Sequence, residues 1–318
     1  MFYQFSGQTV TLLISPDEIY ELHVPFSRVM GVATNGQGIV AIIGWNEANS
    51  GSALIFDAIR ASLIKELRGV YYDLQWLTAD TLILSDGRSL FLYPVQDWSP
   101  VALHRYSRIP YGPIDIRVSP DKETIGFLKW KGDDRKFVLI DIATQSSKEY
   151  KHSSNSLAFF DGATVLVDHG GRISSIERDS EKKTLYIKNT RAVIASGSSG
   201  AEDGGVQRIR SLLDDPTCTI DDVGRPVCLD GRVYFSSFVC TSQGKSVSLL
   251  SVSADRQSLR VHLQFEEGII EGLHVDSIRL APYLRVRANE HRGETIARGW
   301  YTVSGESMRY IGDFNLVK

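Results

Sequence analysis

Val40-Ala41-Ile42-Ile43-Gly44-Trp45, a polar turn, then Leu54-Ile55-Phe56-Asp57: one apolar run ends in Trp, and a second ends in Asp. The same order returns at Thr124-Ile125-Gly126-Phe127-Leu128-Lys129-Trp130, a turn, and Val138-Leu139-Ile140-Asp141. Short runs rich in β-branched and aromatic residues, bounded by polar turns, read as neighbouring strands. Repeated pairs of this kind along 318 residues point to a β-propeller built of four-stranded antiparallel sheets.

Working outward, the strand runs group into units of roughly 40 residues. They cover Val29–Leu67, Tyr71–Tyr106, Ile114–Tyr150, Leu157–Ile194, Val206–Phe265 with an insertion, and Leu273–Phe314. The segment from Phe2 to Pro25 carries three more short runs. It either makes a seventh blade with help from the C-terminus or closes the last of six; seven is the expectation. Exchange of strands between the chain ends satisfies backbone groups that an open edge leaves unpaired. Asp86-Gly87, Asp161-Gly162 and Asp230-Gly231 sit between apolar runs, where tight hairpin turns belong. The first 195 residues hold almost no helical period, which argues for antiparallel sheets and against an α/β fold. Trp45, Trp76, Trp130 and Trp300 fall in or beside strands and are expected to fill space between sheets.

The segment Ile116-Arg117-Val118-Ser119-Pro120-Asp121-Lys122-Glu123-Thr124-Ile125-Gly126-Phe127 resembles the Ser-Pro-Asp-Gly-Lys-x-Ile-Ala-Phe unit of WD40-like propellers of the TolB type. Ser15-Pro16-Asp17 repeats the tripeptide. The resemblance implies a strand ending at Ser-Pro-Asp, a tight turn, and a new strand starting near the Ile. Pro presets φ there, and Asp bonds the backbone further round. Lys122 stands where the family's turn has Gly, and Glu123 is additional. The Trp-Asp and Gly-His pairs of true WD40 repeats are absent. The resemblance implies a fold and no activity.

Composition is that of a folded soluble domain, 42% hydrophobic and 23% charged. A net charge of −3 argues against a general nucleic-acid binder, which needs clustered Lys and Arg. No apolar run approaches the roughly 20 residues of a spanning helix, and the N-terminus lacks a signal-peptide pattern. Three cysteines, Cys218, Cys228 and Cys240, with no Cys-x-x-Cys pair, argue against a disulfide framework or a zinc site. The expectation is a single cytoplasmic domain spanning 1–318, with no metal and no cofactor.

Residues 196–226 break the repeat. A Gly/Ser-rich linker precedes Val206-Gln207-Arg208-Ile209-Arg210-Ser211-Leu212-Leu213, read as a short helix or strand, and Asp214-Asp215-Pro216 ends it. Long excursions in compact domains are often functional. Arg208, Ile209, Arg210, Leu212 and Leu213, with Asp214 and Asp215 for charge complementarity, form the leading partner-binding candidate. Asp221 and Asp222 follow, without the alternating acidic loop that calcium requires. A second candidate surface is Arg285, Arg287 and Arg292: alternation puts the first two on one side of a strand, to receive an acidic partner or a phosphate. The competing reading is a solvent-facing edge strand protected by charge.

No Gly-x-Ser-x-Gly elbow, His-Glu-x-x-His helix, P-loop or dinucleotide fingerprint appears. The chain therefore reads as no enzyme but a protein-interaction module, either a scaffold subunit or an inhibitor that masks its partner. One alternative is a lactonase-type propeller enzyme with a metal held by residues such as Asp168, His169, Asn289 and Glu290. Another is a sugar- or peptide-binding propeller using an exposed aromatic such as Trp98.

Overall fold

The computed structural model describes residues 2–15, 18–48, 50–105, 111–131, 134–150, 156–168, 172–180, 182–188, 219–241, 244–253, 259–265, 267–276, 281–291, 294–295, 297–304, 307–313 and 315–316. Every regular element among them is a β-strand. The chain divides into two compact units, Met1–His152 with Phe314–Lys318, and Ser153–Asp313.

Four sheets make up the first unit. The first contains β1 (Phe2–Ser6), β2 (Thr9–Ser15) and β3 (Glu18–His23). The second is β4 (Arg28–Thr34), β5 (Ile39–Trp45), β6 (Gly51–Asp57) and β7 (Ser62–Arg68). The third is β8 (Asp73–Thr78), β9 (Thr81–Ser85), β10 (Ser89–Pro94) and β11 (Val101–Arg105). The fourth is β12 (Tyr111–Val118), β13 (Thr124–Lys131), β14 (Asp134–Asp141) and β15 (Ser147–Tyr150).

Three sheets make up the second unit. The fifth is β16 (Ser156–Phe159), β17 (Thr164–Asp168), β18 (Arg172–Glu177) and β19 (Lys183–Lys188). The sixth is β20 (Thr219–Leu229), β21 (Arg232–Thr241), β22 (Gly244–Ser253) and β23 (Leu259–Phe265). In the seventh, β24 (Glu267–Asp276), β25 (Ala281–His291), β27 (Gly299–Ser304) and β28 (Ser307–Gly312) follow one another, and β26 (Glu294–Thr295) pairs with β25. The last strand, β29 (Asn315–Leu316), returns to the first sheet, placing Phe2 opposite Leu316 and Tyr3 opposite Asn315.

With seven antiparallel sheets the protein is a seven-bladed β-propeller, and the N-terminal segment forms a full blade with strand help from the C-terminus. Six-bladed closure is thereby set aside. Of the fifth repeat read from sequence, Val206 to Cys218 lies outside the described residues, and the first described strand of that sheet begins at Thr219.

Middle strands of the second and third sheets carry apolar residues on both faces because each of these sheets packs against a neighbour on either side. β5 and β6 are buried along five consecutive positions, whereas β7, at the sheet edge, buries only Leu67. In the first unit, Val10 and Leu12 pack with Val32, Val40 and Ile42 between the first two sheets. Ile43 and Ile55 meet Leu74 and Leu82 between the second and third. Ile83 and Leu90 meet Ile125 and Phe127 between the third and fourth. In the second unit, Leu249 and Phe265 meet Leu284, Val286 and Tyr301. Each fully buried aliphatic or aromatic side chain stabilises by about 1.5–3 kcal/mol.

Polar links join the same neighbours. Trp76 donates its Nε1–H to the Ala33 carbonyl at 3.2 Å, and Asn35 Nδ2 donates to the Ala79 carbonyl at 2.9 Å. Trp76 and Trp300 are buried, in keeping with the packing role expected of them, and Trp45 lies edge-on to Tyr72 at 5.6 Å. The Trp130 side chain is outside the described ones. Trp98 sits in a turn at φ 57° and packs partly buried against the core of the second and third sheets. That placement counts against an open sugar platform at this ring.

The Ser119-Pro120-Asp121 turn follows the geometry its resemblance implied. β12 ends at Val118 and β13 starts at Thr124. Buried Ser119 accepts the Thr124 N–H at 2.9 Å on Oγ, and its N–H donates to the Thr124 carbonyl at 2.9 Å. Asp121 Oδ1 accepts from Ser119 Oγ and from the Glu123 N–H. Lys122, in the family's glycine position, takes φ 64°. At Asp230-Gly231 both residues have positive φ, 48° and 66°, as a two-residue hairpin of this twist requires. Pro16 and Asp17 of the second tripeptide lie outside the described residues.

Candidate functional site

The leading sequence candidates, Arg208, Ile209, Arg210, Leu212, Leu213, Asp214 and Asp215, lie outside the described residues, as does Arg292. Asp221 and Asp222 belong to β20. Arg285 and Arg287 are described, and the seventh sheet assembles a cluster around them.

β25 alternates: Leu284 and Val286 are fully buried in the apolar cluster, so Arg285 and Arg287 project to the other side. β25 lies between β24 and β27, not at the sheet edge, which corrects the reading of these arginines as edge protection. Across from them, the β24 ladder slips by one residue: Ile270 faces Val286 and Gly272 faces Arg285. Glu271 is the extra residue of this β-bulge, and a bulge re-aims its side chain. Here it meets three guanidiniums. Arg298 presents Nε at 3.3 Å to Glu271 Oε2 and Nη2 at 3.1 Å to Oε2 and 3.4 Å to Oε1. Arg285 Nε stands 3.7 Å from Oε2, and Arg287 Nε 3.6 Å from Oε1. Arg285 also donates through Nη2 to Asp313 Oδ1 at 2.8 Å.

The backbone carrying Arg298 is held from below. Tyr301 donates its hydroxyl to the Ala297 carbonyl, and Tyr310 reaches the Arg298 carbonyl at 3.4 Å. Burial raises the Tyr301 phenol pKa, with the neighbouring Tyr310 adding to the rise, so it stays a donor. Gly299 follows at φ 151°, where an added Cβ would lie 2.7 Å from the Gly312 carbonyl oxygen. The sequence groups Arg298 with Arg285 and Arg287 in a locally basic C-terminal blade, but the candidate surface read from it was Arg285, Arg287 and Arg292, and Glu271 was missed altogether. A bulge leaves no spacing signal, and 27 residues separate Glu271 from Arg298.

Chemically, the cluster sets three cations against two carboxylates, with Arg287 and Arg298 more than half exposed, at 58% and 54%. Arg285 Nε is buried with no hydrogen-bond acceptor in reach among the described residues. Three guanidiniums against two carboxylates leave one positive charge in excess.

Elsewhere in the second unit, Arg232 Nε donates to Ser251 Oγ at 2.9 Å, and that oxygen lies 2.8 Å from His262 Nε2. Arg232 only donates, so Ser251 Oγ accepts from it, and the second contact is a Ser–His hydrogen bond whose direction follows the imidazole tautomer. Burial, Arg232 and Arg260 all lower the His262 pKa, in keeping with a neutral ring. Ser251 is fully buried, so this Ser–His pair is a satisfied polar network and no exposed nucleophile. Of the residues proposed for a lactonase-type metal, Asp168 is buried at the end of β17; His169 and the side chains of Asn289 and Glu290 are outside the description. Among the described residues no group of three His, Cys, Asp or Glu is placed to hold a metal ion. In the first unit a cavity of about 520 Å³ opens between Gln8, Phe26, Ser27, Asn46 and Glu47. No described helix is long and apolar enough to cross a membrane.

No protein-family model matches the chain, and no curated protein matches its sequence. Solved structures do match in fold. A prolyl endopeptidase structure aligns with a TM-score of 0.68 at 10% identity, over 97% of this chain and 46% of that one. The tricorn protease aligns at 0.54 and 12% identity, over 98% and 34%. An oligogalacturonate lyase, solved in complex with manganese, aligns at 0.55 and 8% identity, over 89% and 78%. This chain thus spans about a third of the tricorn protease chain and under half of the endopeptidase chain. At such identities the likeness is one of fold. The expectation that the chain is no enzyme is corrected by these matches: the three named structures that share its fold are enzymes, so missing motifs of other folds say nothing against catalysis on this one.

Proposed function

We propose that the protein is a binding propeller that holds an acidic group of another protein at Arg285, Arg287 and Arg298. One observation carries this reading: three guanidiniums converge on the single carboxylate of Glu271 and leave the patch with an excess positive charge. Arg forks match the planar carboxylate bidentately, and Arg is favoured at interface centres. The charge would speed and orient encounter more than it adds raw affinity. The Ser119 turn supports placing the chain among TolB-type propellers, and the segment around Arg208 and Leu213 would add a second contact to the same partner. The low cysteine count fits a cytoplasmic setting.

The test is affinity purification of the full chain from its native cells beside an Arg287→Glu/Arg298→Glu variant. A stoichiometric partner present with the first and missing with the second is the expected result. Equal recovery with both sinks the reading.

A second reading rests on the fold shared with an oligogalacturonate lyase, which this chain matches over 78% of that protein's length. The same arginines suit the carboxylates of a uronate sugar, and the protein would then be an enzyme acting on acidic oligosaccharides. A rise in ultraviolet absorbance on mixing with oligogalacturonate, lost in the double variant, would favour it.

A further inference from the structure

We infer that Glu271 is a built-in occupant of the arginine site, a loosely held counter-ion that a carboxylate of the incoming partner displaces. The inference rests on the anion-binding reading of the cluster and adds how the site is masked. Charge-assisted N–H···O contacts close to about 2.7–2.9 Å when well made. All five contacts from the three guanidiniums to Glu271 are longer, between 3.1 and 3.7 Å. The contrast is internal, since Arg285 reaches Asp313 at 2.8 Å.

The two carboxylates therefore do different work. Asp313 anchors Arg285, which at 27% exposure is the most buried of the three arginines. Glu271 is shared among all three and saturates none of them. Its position on a β-bulge, outside the regular ladder, leaves its backbone bonding unaffected when the side chain swings away. Arg287 and Arg298 are open to solvent from the side opposite the apolar cluster, so a ligand carboxylate can take over both forks and push Glu271 aside. The buried Nε of Arg285, without an acceptor, gains one if the incoming group sits deeper than Glu271 does.

The class of ligand follows: a carboxylate on a flexible acidic segment, matched in charge and planarity to the residue it replaces. The masking lowers affinity for stray anions and sets a threshold that only a multiply acidic partner passes.

Binding of fluorescently labelled hexaglutamate to the intact chain, followed by anisotropy at low salt, tests this. Glu271→Gln should bind about tenfold tighter than wild type, as removal of one competing charge at contact distance in a partly solvated site implies. Arg287→Glu/Arg298→Glu should abolish binding in both backgrounds. Glu123→Gln, on the first unit, changes net charge equally and should have no effect. If Glu271→Gln fails to fold, Glu271→Asp carries the test, its carboxylate withdrawn by one methylene; a smaller gain is expected and no gain overturns the inference. Equal affinity for wild type and Glu271→Gln, with both lost on arginine reversal, overturns the masking and leaves the anion site standing. The same gain from Glu123→Gln also overturns the masking. Absence of binding in every variant overturns the anion site itself and the masking with it.

Discussion

Asp73 on β8 bonds the backbone of Ile116 on β12: its Oδ2 accepts the Ile116 N–H at 2.9 Å, while Oδ1 accepts the Leu74 N–H at 2.8 Å. The donor is free for this because the β12–β13 ladder is interrupted between Ile114 and Arg117, with Asp115 at φ 55°. One buried carboxylate thus ties the first strand of the third sheet to the first strand of the fourth. Asp73→Ala leaves the buried Ile116 N–H without this acceptor and should cost about 2 kcal/mol, within the range for an unsatisfied buried donor. Urea unfolding midpoints of the two proteins check it; an unchanged midpoint would show that the bond contributes nothing net.

Lys122 holds φ 64° in the turn after Ser119. A non-glycine residue in that region costs roughly 1 kcal/mol from the clash of its Cβ. Lys122→Gly should therefore raise stability by a few tenths to about 1 kcal/mol, the gain being reduced by the greater freedom of Gly in the unfolded chain. The comparison is again of unfolding midpoints, and a loss of stability would contradict the strain argument.

Two histidines should make stability fall in mild acid. Burial and Lys129 lower the His104 pKa; burial, Arg232 and Arg260 lower that of His262, each from an ordinary value of 6.5. The unfolded chain thus binds protons below that pH which the folded chain refuses. The contribution to stability is whole above about pH 6.5 and declines as pH falls towards the depressed folded values. A His104→Gln/His262→Gln variant should show a flatter unfolding midpoint between pH 7 and pH 5, by roughly the proton uptake of two groups. Identical pH profiles would exclude these two residues as the cause.

Cys228 should be chemically silent. Burial, helped by the charge of Asp161, pushes its thiol up to about 12, so almost no thiolate exists near neutrality. In a Cys218→Ser/Cys240→Ser background, a thiol reagent at pH 8 should react far more slowly with the folded protein, where Cys228 is only partly exposed, than with the denatured chain. Prompt reaction in the folded protein would refute this.

Much of the architecture was legible in the chain. The paired runs ending at Trp45 and Asp57, and at Trp130 and Asp141, fall on β5 with β6 and on β13 with β14. The turn at Ser119 and the three Asp-Gly hairpins were equally plain, because strand alternation and turn chemistry are properties of adjacent residues. The arginine cluster was half legible: Arg285 and Arg287 announce themselves by alternation, whereas Glu271 does not. Its side chain reaches the site through a one-residue slip against β25, and nothing local marks where a ladder will slip.

By itself, then, the order of residues determined strands, turns and their repetition, since each depends on short-range sterics and the burial pattern of one sheet. Tertiary structure alone decided that Asn315 lies beside Tyr3, that Asp73 finds Ile116, and that Glu271 meets Arg298. Those meetings depend on how whole sheets stack and on where a ladder bulges, and the energy that selects them is summed over many buried side chains.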